Sequence, residues 1–222
     1  MEPFSDSEAV ARYAEGPVRM VPGFAGMQAM AAVLLAEHVG PEGKVLVLGA
    51  GGGLELKAFA EMHPGWQFTG VDPSAEMLGL AERMLGPLMG QVELHQDYID
   101  DAPAGPFDGA TCLLTLHFLP REERLKTLKA LHSRMRPGSP LVVAHHSVPE
   151  QGRDQWFDRF AAFSQSQGAS IADPATMVAT LKERLPFLSP QEDEDLLREA
   201  GFTGVALFYA AFTFRGWVGY RA

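Results

Sequence analysis

VLVLGAGGGLELKAFAEMHPGWQFTGVD, Val45 to Asp72, decides how the rest of the chain is read. Val45 to Leu48 is a short, continuous apolar run, the pattern of a strand covered on both faces of a parallel sheet. It breaks into Gly49-Ala50-Gly51-Gly52-Gly53, four glycines in five residues. Leu54 to His63 then has helical periodicity and stops at Pro64-Gly65. Gln67 to Val71 is a second apolar run, and Asp72 ends it. Strand, glycine turn, helix and strand make one βαβ unit, in which glycines this dense let backbone approach something closely.

Three kinds of glycine loop fit after a first strand. A dinucleotide loop, G-x-G-x-x-G, needs a third glycine where this chain has Leu54. A phosphate loop ends in Gly-Lys-Ser/Thr; here Gly53-Leu54-Glu55 stands instead, and Glu55 repels phosphate. What remains is G-x-G-x-G, with Gly49, Gly51 and Gly53 carrying the backbone, Ala50 included, under a nucleoside without phosphate. S-adenosylmethionine is such a ligand, and its positive sulfur tolerates nearby acids. A tight turn without a ligand is the plainer alternative. Asp72, followed by Pro73, is placed to accept bonds from both ribose hydroxyls, or else to cap the next helix. Asp97, past a third strand at Val92 to His95, is placed to receive an adenine amino group, with Tyr98 or Ile99 covering the ring. Its alternative is a solvated turn.

Strand and helix continue to alternate. Ser74 caps a helix from Ala75 to Leu85, and Asp108 to Leu114 is a fourth strand. Arg121 to Met135 is an amphipathic helix stopped by Arg136-Pro137-Gly138, and Leu141 to His146 is a fifth strand. This alternation predicts an α/β fold, a mostly parallel sheet with helices on both faces. On the amino side, Ser5 to Glu15 and Ala25 to His38 read as helices separated by a break at Val21 to Phe24. After strand five, residues 151 to 185 are mostly helical with a break near Gly168 to Pro174, and Glu192 to Ala200 is a further helix. Two aromatic-rich strands, Val205 to Ala211 and Thr213 to Arg221, close the chain.

The 222 residues suit one domain, with 1–40 as a helical lid and 148–190 as a helical cap inserted after strand five. The net charge of −10 argues against a broad nucleic-acid footprint, which needs clustered Lys and Arg. The one cysteine, Cys112, lies in an apolar run and reads as a buried small hydrophobe, so neither a disulfide framework nor a cysteine zinc site is expected, and no metal is assigned. MEPFSDSEAV lacks the basic and apolar regions of a signal peptide, and no apolar run approaches membrane-spanning length. The expectation is a cytoplasmic protein with no membrane attachment.

The ordered G-x-G-x-G, Asp72, Asp97, DGATCLLTLHFL and LHSRMRPGSPLVVAHH resemble the class I S-adenosylmethionine-dependent methyltransferases from Val45 to about Ser147. That resemblance implies a Rossmann-like seven-stranded sheet whose two last strands form an antiparallel hairpin. VPGFAGMQAMAAVLLAEHV, LTLHFLPREER and GFTGVALFYAAFTFRGWVGYRA extend the likeness to the carboxy-S-adenosylmethionine synthase family, which makes a carboxylated cofactor for tRNA wobble-uridine modification. It places Phe24 and Leu113 in the cofactor site, where that family has Tyr and Asn. The arginine that reads the extra carboxylate falls near Thr180, with Lys182 and Arg184 off register. Class I enzymes also carry an acid two residues before the first glycine. Here that residue is Val47, with Glu55 or a backbone group as substitute.

Methyl transfer needs positioning, and a base only where the acceptor loses a proton. His117, after strand four, is the first candidate base and His145, ending strand five, the second. Neighbouring strand residues face opposite ways, so one of His145 and His146 faces the cleft. Arg12, Tyr13 and Arg19 belong to the lid. Trp156, Phe157, Phe160 and Phe163 form an aromatic stripe read as cap packing, with a substrate wall or dimer surface as the alternative. Three functions compete: a methyltransferase acting on a small molecule as a monomer or homodimer, a carboxy-S-adenosylmethionine synthase, and a non-catalytic S-adenosylmethionine-binding protein.

Overall fold

The computed structural model describes residues 15–169 and 173–222. The expected helix from Ser5, with Arg12 and Tyr13, lies outside the described residues except at Glu15. A short helix α1 (Glu15–Met20) is followed by a turn at Gly23, in the left-handed region at φ 68°, and by α2 (Phe24–Ala36). The sheet strands are β1 (Lys44–Leu48), β2 (Gln67–Val71), β3 (Val92–His95), β4 (Gly109–Leu113), β5 (Pro140–His146), β6 (Phe202–Ala211) and β7 (Phe214–Arg221). The remaining helices are α3 (Leu54–Met62), α4 (Ala75–Leu85), α5 (Arg121–Arg134), α6 (Arg153–Ser166), α7 (Pro174–Arg184) and α8 (Pro190–Glu199).

All seven strands join one sheet in the order β3-β2-β1-β4-β5-β7-β6, parallel through β5 and antiparallel at the β6–β7 hairpin. The chain runs outward from β1 in one direction to β3, then returns to β4 on β1's other side. Between β1 and β4 the crossovers therefore diverge to opposite faces and leave a crevice at their carboxyl ends. Register across this boundary pairs Val47 with Thr111.

The apolar run of β1 serves both faces by its two-residue period. Val45 and Val47 pack with Met27 and Leu35 of α2, Phe59 of α3 and Phe160 of α6. Leu46 and Leu48 pack on the other side with Leu128 and Leu131 of α5, Leu196 of α8 and Trp217 of β7. Each such burial stabilises the fold by about 1.5–3 kcal/mol.

The segment after β5 is two helices packed on each other through Phe157, Ala161 and Val178, over Val148. Phe157 and Phe160 are fully buried, so half of the aromatic stripe is interior. Trp156 lies between two guanidinium groups, Arg159 at 4.5 Å and Arg215 at 5.6 Å from its ring centre. Asp173 caps α7 by accepting from the Ala175 and Thr176 N–H groups. The Tyr209 hydroxyl donates to Pro22 O at 2.5 Å and Arg19 donates to Gly168 O at 3.3 Å, tying α1 and the Gly23 turn to β6 and to the residues just after α6.

Candidate cofactor cleft

The glycine loop is held in a conformation other residues resist. Gly49, Gly51 and Gly53 have φ of 76°, 50° and 80°. A Cβ on Gly49 would stand 1.9 Å from Thr115 Oγ1, and one on Gly53 would stand 2.9 Å from Ala81 Cα in α4. The loop is also tied to β2. The Gly49 and Ala50 N–H groups donate to Val71 O at 2.8 and 3.1 Å. Asp72 completes the bracing. Its Oδ2 accepts from Gly51 N–H at 3.0 Å and its Oδ1 from Ser74 N–H at 2.9 Å, while Ser74 caps α4 by accepting from Met77 N–H. Burial raises the Asp72 carboxyl above its ordinary value, and the two N–H bonds oppose that rise.

Above this loop lies a partly open cleft. Phe24 and Gln28 of α2 form one wall, Gly49 and Ala50 the floor, Leu54 and Glu55 of α3 a second wall, and Leu113 with Leu114 the end of β4. Leu114 has φ 56°, unusual for a branched side chain, and its N–H donates to Ala144 O at 2.6 Å. Backbone strain of this kind concentrates at ligand sites. Among the described residues no lysine or arginine lines the cleft. Its one ionisable wall residue is Glu55, 7% exposed, whose carboxylate accepts from Thr111 Oγ1 at 2.7 Å. Burial pushes that carboxyl up to about 8, against the opposing Thr111 bond.

Of the residues nominated by sequence, Phe24, Gly49, Ala50 and Leu113 come together in the cleft. Gly51, Gly53, Asp72 and Pro73 belong to the loop and turn beneath it. Asp97 and Tyr98 follow β3. Tyr98 is 62% exposed and Ile99 is buried in the core, so of the two residues nominated to cover a ring, one faces solvent and the other is packed away. Gln28, Leu54 and Leu114 were not nominated. Gln28 left a signal, an amide inside an otherwise apolar helix, FAGMQAMAAVLLA.

Neither histidine nominated as a base lines the cleft. His117 is buried in a single turn, Leu116–Phe118, where its Nδ1 accepts the His146 N–H at 3.4 Å. In the neutral ring the proton then sits on Nε2, which makes His117 a donor. Burial, with the neighbouring His146, His145 and Arg124, holds its pKa well below the ordinary histidine value. His145 and His146 do point to opposite faces. His145 Nε2 lies 3.2 Å from Asp193 Oδ1 on α8, whereas His146 stacks on Phe214 at 3.9 Å with its Nδ1 2.9 Å from Thr213 Oγ1. Asp193 also pairs with the fully buried Arg124 at 2.8 Å, and Arg124 donates further to Leu119 O and Pro186 O. Burial alone would raise the Asp193 carboxyl, but His145 and Arg124 outweigh it and the net shift is downward. This cluster fixes the strand-four turn and the end of the cap to α8.

Residues 45–138, which span β1 through α5 and include the whole floor of the cleft, match the family model described as a methyltransferase domain. Over 97% of its length the chain is 27% identical to the carboxy-S-adenosyl-L-methionine synthase of Chromohalobacter salexigens, of which it covers 82%. In three dimensions the chain superposes on an O-methyltransferase family protein from Burkholderia thailandensis with TM-score 0.72 at 16% identity. The match covers 98% of this chain and 61% of that one. Human N-acetylserotonin methyltransferase in complex with SAM gives TM-score 0.68 at 15% identity, covering 99% of this chain and 57% of that one. The chain thus spans about three-fifths of the length of those two structures. The resemblance to class I methyltransferases, and among them to the carboxy-S-adenosylmethionine synthases, stands on these similarities. The fold is that of S-adenosylmethionine-dependent methyltransferases. Among the described residues no helix is long and apolar enough to cross a membrane.

Proposed function

We propose that the cleft binds S-adenosylmethionine and that the protein transfers its methyl group to a small-molecule acceptor. The observation that carries this reading is the cleft at the β1–β4 switch point, floored by Gly49 and Ala50 and walled by a buried carboxyl group with no cation among the described lining residues. Such a wall disfavours phosphates and suits a cationic nucleoside. When bound, the cofactor supplies a methyl group activated for in-line displacement. The chain's own part is positional. Asp72 presents a carboxylate already ordered by two backbone N–H groups, so each oxygen keeps a further acceptor position for a ribose hydroxyl. Phe24 and Leu54 exclude water from the cleft, and Leu113 and Leu114 shape its inner end. His117 and His145 are left out of the step, because both are buried beside other partners. The acidic balance of the chain favours a small acceptor over nucleic acid.

A second reading, a carboxy-S-adenosylmethionine synthase, is favoured by the 27% identity that runs over 97% of the chain. Against it, a carboxylated cofactor needs a cation in the wall. Thr180 bonds within its own helix, and Lys182 pairs with Asp154 at 2.6 Å on the cap surface. Calorimetry with S-adenosylmethionine and with S-adenosylhomocysteine tests the first reading, which fails if neither binds. Mass spectrometry of nucleosides released from purified protein, before and after incubation with prephenate, decides between plain and carboxylated cofactor.

A further inference from the structure

Resting on that reading, we infer that Glu55 is the residue that receives the cationic end of the bound nucleoside, taking over from the opposite wall the place that an acid at position 47 would fill. Three observations converge. Val47 and Thr111 are register partners on neighbouring parallel strands, so their side chains leave the sheet on the same face. Thr111 Oγ1 donates to Glu55 at 2.7 Å, which brings the Glu55 carboxylate to that face, beside Val47. The same carboxylate belongs to the cleft wall, next to Gly49 and Ala50. An acid two residues before the glycine loop would reach this point from β1. Here β1 is apolar from Val45 to Leu48, and the acid arrives from the first turn of α3, where the helix dipole favours a negative charge.

The surroundings of Glu55 are otherwise poor in charge. Thr111 on β4 is neutral, Gln28 on α2 is an amide, and Cys112, the one titratable neighbour it influences, is a fully buried thiol pushed further toward its neutral form. A carboxyl so placed is protonated when the cleft holds no cation. An ammonium or sulfonium entering the cleft supplies the missing partner, and the proton leaves. Recognition of the cation is thus coupled to release of one proton, which an acid already paired in the empty protein would not show.

The test is calorimetry on the full chain at pH 7 in two buffers of different ionisation enthalpy. With S-adenosylmethionine, which carries both positive groups, wild type should release about 0.9 of a proton per ligand, as follows from a carboxyl near 8 that ionises on binding. Glu55→Gln, which retains an acceptor for Thr111, should abolish the release and weaken binding at least tenfold. Three ligands separate the sources of positive charge. S-adenosylmethionine carries sulfonium and ammonium, S-adenosylhomocysteine carries the ammonium alone, and adenosine carries neither. Loss with both amino-acid-bearing ligands assigns the ammonium to Glu55, loss with S-adenosylmethionine alone assigns the sulfonium, and adenosine binding should be unchanged in either case. Equal affinities and equal proton counts in wild type and Glu55→Gln overturn the inference while leaving the cofactor assignment intact. If no nucleoside binds wild type, the cofactor assignment itself fails.

Discussion

Replacing Glu55 by Gln should stabilise the ligand-free protein, and increasingly so as pH rises. Glu55 moves from an ordinary 4.5 to about 8 on folding because it is buried without a cation. A raised carboxyl binds its proton more tightly in the folded state. Its favourable contribution is therefore complete below pH 4.5 and lost as pH climbs through 8. Fully ionised, the group would cost roughly 5 kcal/mol, the 3.5-unit displacement taken at about 1.4 kcal/mol per unit. Between pH 6 and pH 8, both clear of the isoelectric point near 5.1, the wild type should lose about 2 kcal/mol relative to Glu55→Gln. Gln keeps the Thr111 bond and carries no titration, so the difference isolates this one carboxyl. Urea unfolding at the two pH values reads it directly. In thermal melts the gap between variant and wild type should widen by about 4–8 °C. Parallel pH curves for the two proteins would refute the reasoning, because they would show Glu55 either ionised in the empty cleft or solvated there. Saturating S-adenosylhomocysteine should narrow the gap, since a bound cation favours the ionised form.

Three further outcomes follow from the geometry. Asp72→Ala should weaken S-adenosylmethionine binding by roughly 1.5–3 kcal/mol, the loss expected for bonds to a charged acceptor, and an unchanged calorimetric affinity removes its assigned role. Gly49→Ala should destabilise by about 2–4 kcal/mol, from the left-handed backbone and from overlap with Thr115; adding Thr115→Ala should recover only the overlap share, as measured by melting temperature. Arg124→Met should destabilise by about 3–5 kcal/mol in urea unfolding because it strands the buried Asp193 carboxylate, whereas Arg124→Met with Asp193→Leu should recover much of that loss. A full-size effect in the double variant would show that packing, not charge, dominates there.

Much of the cleft was legible because local chemistry constrains it. Strand boundaries at Gln67–Val71 and Val92–His95 and the helix Ala75–Leu85 agree with the sequence reading to the residue, the helix because Ser74 caps its start and Gly86 follows its end. Gly49 and Gly53 are required by positive φ and by the approach of Thr115 and Ala81, so their spacing reports backbone geometry before it reports any ligand. The sequence did not separate His145 from His146, nor show that Arg124, in a helix read as amphipathic, is fully buried. Its partners come from Leu119, Pro186 and Asp193, and only Leu119 is near in sequence. The lid residues Arg12 and Tyr13 lie outside the described residues, so their part in covering the cleft stays a reading of sequence.

By itself the sequence determined the alternation of strand and helix, the turn that only glycine tolerates, and the exclusion of phosphate by Leu54 and Glu55. These depend on neighbours a few residues away, where periodicity and sterics act. Only the tertiary structure decided where the cleft's negative charge comes from. Val47 stands where the sequence leads one to look for an acid, and Glu55, in the next helix, folds back across the glycine loop to Thr111 beside it. A carboxylate's role depends on its position in space and on what surrounds it, and a βαβ turn can bring that position to a residue eight places along the chain.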